Sequence, residues 1–248
     1  MNHIGLFEGI GGFSLAARWM GWETIAWCEW NPFCQKVLNY HFPKAKQHGD
    51  ITTTDFTIYR GQCDILTGGF PCQDISSSGK GAGINGSRSG LWKEYKRAIE
   101  EVNCKYIVAE NSPNLTNKGL ETILLDLSEM GFCVEWGCIP ASKFGAWHKR
   151  ERIWIVAYPN SYGFQGILQG LREGDKILPK PSGKIVIHTL PKSFEQLGDY
   201  KRIRESNGVP NQLDRIKSLG NAIVPQVALQ IFKAIQEFNK QHHETANT

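Results

Sequence analysis

Short apolar runs alternate with amphipathic segments along the first two-thirds of the chain. The apolar runs HIGLF, TIAWCE, DILTGG, YIVAEN and RIWIVAY predict strands, and the segments FSLAARWMG, PFCQKVLNYHF, LWKEYKRAIEEV and GLETILLDLSEMG predict helices. Strands and helices in regular alternation are typical of a sheet that is covered by helices on both faces. We therefore expect an α/β fold with a doubly wound, mostly parallel sheet.

Several predicted helices carry signals at their ends. Gly21 is a stop for the first helix, and Asn31 followed by Pro32 is the cap and first-position pair of a helix start. Later, PQVALQIFKAIQEF repeats an apolar residue every three or four positions, which predicts a final helix with one buried face. That face contains Val227, Ile231, Ile235 and Phe238.

The regular alternation breaks after Pro159. From there to residue 208 Gly, Pro and Lys dominate, and only KIVIHTL resembles a strand. Such a change of pattern predicts a second, smaller unit. We expect a main domain over residues 1–159, a small lobe over 160–208, a return segment with its helix over 209–240, and a tail over 241–248.

The composition is that of an ordinary globular protein. Of the 248 residues, 41% are hydrophobic and 21% are charged, which argues against a disordered or fibrous body. No apolar run approaches a membrane span and the N-terminus lacks a signal-peptide pattern, so we expect no membrane partner and a cytoplasmic protein. The seven cysteines include no Cys-x-x-Cys pair, which argues against a disulfide framework and a structural zinc site.

The formal net charge of +4 does not identify a partner, but its distribution is informative. The segment between positions 160 and 205 contains eight Lys and Arg residues and five Asp and Glu residues. This excess fits a phosphate-contacting surface about as well as it fits a solvated loop.

Three features at the ends of the first three predicted strands point to one ligand. Gly9, Gly11 and Gly12 in LFEGIGGFS could bring backbone N–H groups close to a ligand, although Ser14 stands where a dinucleotide fingerprint has its third glycine. Glu29 follows about 20 residues later, at the spacing typical of an acid on ribose hydroxyls. With Asp50 after the next strand, these positions describe an adenosine site. A plain tight turn and an ordinary surface glutamate remain the alternatives.

Cys72 lies in the loop that follows the strand DILTGG. Most cysteines are small buried hydrophobes, but here Gly68, Gly69 and Pro71 define a loop just past a strand end, where open α/β sheets bind ligands. A thiolate in that position can attack electrophilic carbon if a nearby cation or helix N-terminus lowers its pKa.

Further polar side chains end or begin the later strands. Glu110 and Asn111 close YIVAEN, where a partly desolvated carboxyl group would be a proton donor or simply a cap for the next turn. Arg150 and Arg152 stand two residues apart where RIWIVAY begins, so we expect both on one side of the strand. Paired guanidinium groups suit a phosphate or a polar base edge, and a surface ion pair with Glu151 is the alternative.

In chain order, LFEGIGG, GGFPCQ, AEN, RER and SLGNAIVPQ resemble the motif series of the cytosine-C5 DNA methyltransferases. The resemblance covers residues 4–158 and 209–238. It implies a Rossmann-like methyltransferase fold, S-adenosylmethionine as the cofactor, and methyl transfer to C5 of cytosine.

The resemblance also assigns roles to individual residues. It implies that the methionine part of the cofactor contacts Phe7, Gly9, Gly11 and Gly12. Glu29 would bind the ribose hydroxyls, and Trp30 would stack on the adenine ring. Asp50 and Ile51 would hold the edge of the adenine. Asn221 and Ala222 would complete the cofactor pocket.

For the reaction, the resemblance makes Cys72 the nucleophile that adds to C6 of cytosine. Glu110 would hold N3 and the exocyclic amine, Arg152 on O2 would counter the developing charge, and Arg150 would be a further catalytic residue. The further substrate contacts that the motifs imply are Pro71, Gln73 and Asn111.

The implied partner is double-stranded DNA, whose target base must leave the stack to reach such a pocket. The polar stretch QDISSSGKGAGINGSRSG after Cys72 would close over that base, and the lobe over 160–208 would be the target recognition region. We expect a monomer. A restriction endonuclease acting on the same site is a partner that the resemblance leaves open.

Several features depart from the family pattern. Trp147-His148 stands where the family usually has Pro-Gln, Ser112 replaces the commoner valine after Asn111, and the lobe is short. Two alternatives therefore remain, a tRNA cytosine-C5 methyltransferase and a DNA-binding relative that has lost turnover. The RNA-methylating branch of the family carries a Cys-Phe-Thr tripeptide, and its absence from this sequence argues against the tRNA methyltransferase.

Overall fold

The structure, a computed structural model, describes residues 1–71, 90–117, 119–146, 148–163, 166–171 and 220–245. The strands within them are β1 (Asn2–Leu6), β2 (Glu23–Cys28), β3 (Lys46–His48), β4 (Ile65–Gly68), β5 (Tyr106–Asn111), β6 (Phe132–Pro140) and β7 (Glu151–Pro159). The main helices are α1 (Gly12–Trp19), α2 (Pro32–His41), α3 (Leu91–Val102), α4 (Leu120–Glu129) and α5 (Pro225–Thr245). Short 3-10 helices cover Thr57–Tyr59, Pro113–Asn117, Ala141–Phe144, Asn160–Tyr162 and Gln169–Leu171.

All seven strands form one sheet in the order β3-β2-β1-β4-β5-β7-β6. The first five in this order are parallel to their neighbours. In contrast, β7 pairs antiparallel with both β5 and β6. The prediction of a doubly wound, mostly parallel sheet is therefore confirmed, with an antiparallel end formed by its last two strands.

Strand β6 was missing from the predicted elements. Its sequence FCVEWGCIP contains Glu135 and Gly137 in the middle and has no regular alternation, so the usual strand signal is weak. Pairing along the full length of β7 compensates for that weak local preference. The antiparallel pairing of β6 with β7 depends on tertiary structure, and the alternation of predicted strands and helices along the chain did not indicate it.

The helix-end signals agree with the structure. The side chain of Asn31 accepts hydrogen bonds from Phe33 N and Cys34 N at 2.9 and 3.2 Å, and Gly21 has a φ of 71° just past the end of α1. The predicted apolar face of α5 is buried at Val227, Ile231, Ile235 and Phe238. The helix continues to Thr245, within the range expected for the tail, and the division into domains stays a prediction.

Helices cover both faces of the sheet. Buried side chains of α3 and α4 form one core with Leu66, Ile107 and Ile155, while α1 and α5 form the second core with Val108 and Val156 on the opposite face. The central parallel strands β1, β4 and β5 are thus buried on both sides, which explains why their sequences are almost continuously apolar.

His3 is a buried polar residue inside this framework. Its ring nitrogens lie 3.0 Å from Thr24 Oγ1 and 2.8 Å from Thr67 Oγ1, so one imidazole joins β1 to β2 and β4. Burial lowers the pKa of His3 to about 3. The ring therefore stays neutral at physiological pH.

Most of the predicted lobe, including KIVIHTL, lies outside the described residues. Its first part is described and packs on the main body, where Ile167, Leu168 and Leu171 are buried in the core that contains α5. In the part of the chain that the structure covers, no helix is long and apolar enough to cross a membrane.

Candidate active site

The carboxyl ends of the central parallel strands meet at a cavity of about 870 Å³. This is the edge of an open α/β sheet at which ligands generally bind. The cavity collects most of the site residues expected from the sequence: Phe7, Gly9, Glu29, Trp30, Asp50, Ile51, Pro71, Glu110, Asn111, Arg150, Arg152, Asn221 and Ala222. Cys72 and Gln73 lie outside the described residues.

The turn between β1 and α1 has the backbone geometry that its glycines predict. Phe7, Gly9 and Gly11 have φ values of 50°, 59° and 92°, a left-handed region that costs a residue with a side chain free energy. At Gly11 a Cβ would also lie 3.0 Å from the Phe42 ring. The turn is therefore tightly packed, and its open side faces the cavity at Phe7 and Gly9.

Gly11 and Gly12 do not line the cavity. A Cβ on Gly12 would lie 2.5 Å from Cγ1 of Ile223, so Gly12 permits close contact between the turn and the segment that precedes α5. Both glycines thus allow close packing around the turn, and the cofactor contact expected of them stays a prediction.

The carboxylate of Glu29 is fixed by the main chain. Its Oε2 accepts a hydrogen bond from Gly9 N and its Oε1 accepts one from Asn31 N, both at 2.7 Å. Each oxygen retains capacity for a further donor. Next to it, Trp30 lines the cavity and is 72% exposed, so its indole face is available for stacking.

Asp50 and Ile51 also line the cavity and lie at the start of the turn that follows β3. Oδ1 of Asp50 accepts hydrogen bonds from Thr52 N and Thr52 Oγ1 at 2.9 and 2.8 Å. The main-chain carbonyl of Asp50 accepts a further hydrogen bond from Thr54 Oγ1 at 2.6 Å. These contacts give the turn one defined shape.

Glu8 is a cavity residue that the sequence analysis did not identify. Its Oε1 accepts a hydrogen bond from Ser14 N at 2.7 Å, and its buried Oε2 has no hydrogen-bond partner within the described residues. A Cβ on Gly5 would lie 1.9 Å from this Oε2, so the glycine makes room for the carboxyl group. Burial, and to a lesser extent the charge of Glu29, raises the pKa of Glu8 to about 7.

Glu110 and Arg152 form an ion pair at the cavity, with 3.1 Å between Glu110 Oε1 and Arg152 Nε. Burial raises the pKa of Glu110 to about 7, although the charges of Arg152 and Arg150 act in the opposite direction. Desolvation therefore outweighs the ion pair. A carboxyl group of this kind exists in both protonation states near neutral pH and can donate a proton.

Arg150 makes different contacts from Arg152. It lies just before β7 with a φ of 28°, and its guanidinium donates to the carbonyls of Gly220 and Ala222, both at 2.7 Å. Both arginines line the cavity, as the spacing predicts. Within the described residues, the hydrogen bonds of Arg150 hold the return segment against the site.

Asn111 supports the loop that leads to Cys72. Its Nδ2 donates to the carbonyl of Phe70 at 3.2 Å, and its Oδ1 accepts from Ser112 N at 2.7 Å. The Phe70 ring packs against Trp92, with 5.5 Å between ring centroids. The described start of the loop is thus held by β5 and by α3.

The cavity therefore offers two chemical environments. One side has a fixed carboxylate, an exposed indole and a rigid turn, at Glu29, Trp30 and Asp50, which suits a nucleoside. The other side has a carboxyl group of raised pKa beside a guanidinium, at Glu110 and Arg152, which suits proton transfer to a polar heterocycle.

Comparison with known proteins agrees with this geometry. The family model of the C-5 cytosine-specific DNA methylases matches residues 1–213. A type II methyltransferase of Haemophilus parainfluenzae, M.HpaII, is 32% identical over 244 residues, which are 89% of this chain and 65% of that protein. M.Eco47II of Escherichia coli is 36% identical over 161 residues, 62% of this chain and 39% of that protein.

The chain thus spans about two-fifths to two-thirds of the length of these curated relatives. Among solved structures, the methyltransferase EhMeth of Entamoeba histolytica superposes with a TM-score of 0.67 at 15% identity, covering 96% of this chain and 98% of that one. The Dnmt2 methyltransferase of S. pombe gives a TM-score of 0.58 at 21% identity over 73% of this chain and 57% of its own. At such identities the two structures show a shared fold.

Proposed function

The chain belongs to the C-5 cytosine-specific DNA methylase family, and from this premise we propose that it methylates C5 of cytosine in double-stranded DNA. The methyl donor in this proposal is S-adenosylmethionine. The observation that carries it is the position of Glu110, a carboxyl group with a pKa of about 7 in the same cavity as Glu29 and Trp30. Proton donor and nucleoside-binding groups therefore share one site.

The cofactor side of the cavity fits S-adenosylmethionine. Glu29 has spare acceptor capacity for ribose hydroxyls, Trp30 offers an indole face for adenine, and Asp50 with Ile51 borders the edge of that base. Phe7 and Gly9 border the remaining space beside the turn, and Asn221 and Ala222 complete the wall. When bound, the cofactor supplies an electrophilic methyl group on a sulfonium sulfur.

On the substrate side, Glu110 has a simple role. C5 of cytosine is a weak nucleophile until a group adds at C6. Protonated Glu110 donates its proton to N3 as that bond forms, so negative charge does not accumulate on the ring. Arg152, held 3.1 Å from Glu110, would counter negative charge at O2 of the pyrimidine and stabilise the resulting carboxylate.

In the proposal Cys72 is the group that adds to C6. Its thiolate forms the S–C6 bond, and C5 becomes nucleophilic and takes up the methyl group, which leaves S-adenosylhomocysteine. Loss of the C5 proton to water then forms the C5–C6 double bond, breaks the S–C6 bond and releases the thiolate, and N3 returns its proton to the Glu110 carboxylate. The part of the loop that the structure describes supports this role, because Pro71 lines the cavity and Asn111 fixes Phe70. Cys72 follows Pro71 directly in sequence.

Duplex DNA, a flipped target base and sequence recognition by the lobe over 160–208 belong to the same proposal. A cytosine inside the stack cannot contact a thiol and a carboxyl group that approach its ring from inside a cavity. Gln73 would contact the flipped base, and the chain would act as a cytoplasmic monomer, with or without a restriction endonuclease for the same site.

Base-resolution bisulfite sequencing tests the activity. DNA from a methylation-deficient bacterium that expresses the chain is expected to show protected cytosines in one recurring context. Glu110→Gln and Cys72→Ala are expected to abolish the protection, while Glu121→Gln, an exposed glutamate on α4, serves as the matched control and retains it.

Two outcomes would contradict the proposal in different ways. Protection that survives Cys72→Ala would exclude Cys72 as the nucleophile. If the folded wild-type protein gave no protection of DNA but transferred methyl groups to tRNA in vitro, the substrate would be RNA.

A further inference from the structure

The turn that borders the adenine side of the cavity is held by a residue from a distant helix. Arg97 of α3 donates from Nη2 to the carbonyl of Ile51 at 2.6 Å and from Nη1 to the carbonyl of Thr54 at 3.1 Å. Its guanidinium thus bridges the two ends of a short main-chain segment. None of the sequence motifs that identified the site includes this residue.

Arg97 is itself fixed by two glutamates of α3, one a turn before it and one a turn after it. Its Nε lies 2.9 Å from Glu94 Oε2, and its Nη1 lies 2.7 Å from Glu101 Oε1. The other oxygen of Glu101 accepts a hydrogen bond from Phe56 N at 2.9 Å. Because the guanidinium is planar and each of its three nitrogens is engaged, it holds the turn in one geometry better than a flexible ammonium would.

We propose that Arg97 is a positioning residue for base recognition in the cofactor pocket. By fixing the carbonyls of Ile51 and Thr54, it sets the place of the Asp50 carboxylate relative to the edge of the purine. That carboxylate accepts a hydrogen bond from a 6-amino group and repels a 6-oxo group. Arg97 therefore determines how well the pocket distinguishes adenine from hypoxanthine, without touching either base.

This inference rests on the proposed function, because it takes the ligand to be an S-adenosyl compound. Binding of the product S-adenosylhomocysteine and of its 6-oxo analogue, S-inosylhomocysteine, measured by isothermal titration calorimetry, tests it without DNA and without turnover. The ratio of the two dissociation constants is the readout. General destabilisation would weaken both ligands alike and leave this ratio unchanged.

Two variants and a control make the comparison. Arg97→Gln removes the charge and the bridging donors, and Arg97→Lys keeps the charge but loses the planar fork. Arg60 is the control, since it also donates to two main-chain carbonyls, those of Glu100 and Glu101 at 2.9 and 3.1 Å, but does not contact the turn. Thermal melts confirm that each variant is folded.

We expect wild type and Arg60→Gln to prefer the 6-amino ligand to the same degree. Arg97→Gln should lose about 10-fold of that preference, with a smaller loss for Arg97→Lys. If both ligands weaken equally in the Arg97 variants, the inference is overturned and the methyltransferase assignment is unaffected. If wild type binds neither ligand, the cofactor assignment fails and this inference fails with it.

Discussion

Two buried glutamates on the same half of the sheet, Glu110 on β5 and Glu135 on β6, have opposite surroundings. Glu110 contacts one guanidinium through one oxygen and faces the cavity. Glu135 accepts three hydrogen bonds within the fold, from Tyr158 Oη at 2.6 Å, Ile167 N at 2.9 Å and Leu168 N at 3.0 Å.

The role of a buried carboxyl group depends on which groups engage its two oxygens. At Glu135 both oxygens are engaged by Tyr158 and by the segment 166–171, so its hydrogen-bonding capacity is used to attach that segment to the sheet. At Glu110 the carboxyl group keeps hydrogen-bonding capacity on the side of the cavity. Its desolvation raises its pKa to about 7. The first arrangement is structural, and the second is suited to a reaction.

The largest difference in activity is expected when the carboxylate is exchanged for an amide at Glu110 and, separately, at Glu135. Glu110→Gln removes the proton donor and should reduce methyl transfer by at least about 100-fold. Glu135→Gln should keep most of the activity at a temperature where the protein is folded, because no donor to substrate is lost. Single-turnover assays on duplex DNA with saturating cofactor measure both, and equal losses in the two variants would refute the distinction.

Replacing each glutamate with alanine should lower the free energy of unfolding more at Glu135 than at Glu110, whereas activity should depend more on Glu110. Glu135→Ala leaves a buried hydroxyl and two buried N–H groups without their acceptor, which should lower the free energy of unfolding by about 3 kcal/mol or more. Glu110→Ala should cost less, since its partner Arg152 can contact water at the cavity. Urea denaturation at pH 7 checks this. A loss below about 1 kcal/mol at Glu135 would mean that segment 166–171 contributes little to the fold.

Glu8 is a third buried glutamate, and its Oε2 has no hydrogen-bond partner in the described residues. Its ionisation should therefore make the stability of the protein depend on pH. Its pKa is about 7 in the folded protein against 4.5 for a free side chain. The folded state therefore keeps a proton that the unfolded state loses, and stability falls as pH rises from 4.5 to about 7. The full effect is at most about 3 kcal/mol.

The variant Glu8→Gln cannot ionise and should lack this part of the pH dependence. Its free energy of unfolding relative to wild type should rise between pH 5 and pH 8 and change little below pH 4.5. Denaturation curves over that range are the measurement. Parallel pH profiles for the two proteins would show that Glu8 ionises in the folded state as it does in water.

His3 gives a pH dependence of the opposite sign. Its pKa of about 3 lies below the free value of 6.5, so only the unfolded state gains a proton as pH falls below 6.5, and stability is lost toward acid. At pH 5 the loss should be about 2 kcal/mol. His3→Gln should be less acid-sensitive between pH 7.5 and 5, and an unchanged acid sensitivity would point to another group.

The sequence predicted the parallel part of the fold well because its signals are local. Continuous apolar runs, the Asn31-Pro32 pair and the periodicity of α5 each act within one element. Strand β6 was missed because its burial depends on β7 and on segment 166–171. Glu135 is separated by 23 to 33 residues from the groups that bind it, so its role is invisible to any local pattern.

For the candidate site the same limit applies. Motif positions predicted most of the residues that line the cavity, because strand ends in a parallel sheet meet at one edge. They did not reveal Glu8, whose significance arises from the space above Gly5, or Arg97, which acts from α3 on a turn more than 40 residues earlier. The roles of Cys72 and Gln73 stay predictions.

The contact between Gly12 and Ile223 has a consequence for the biosynthesis of this protein. One wall of the cavity, made by residues 221–223, is translated more than 200 residues after the glycine turn that it covers. At ordinary elongation rates that interval is roughly 10 to 40 s. During this time the residues that form this wall are not yet part of the chain, so the complete cavity can form only after they have been translated and have docked on the glycine turn.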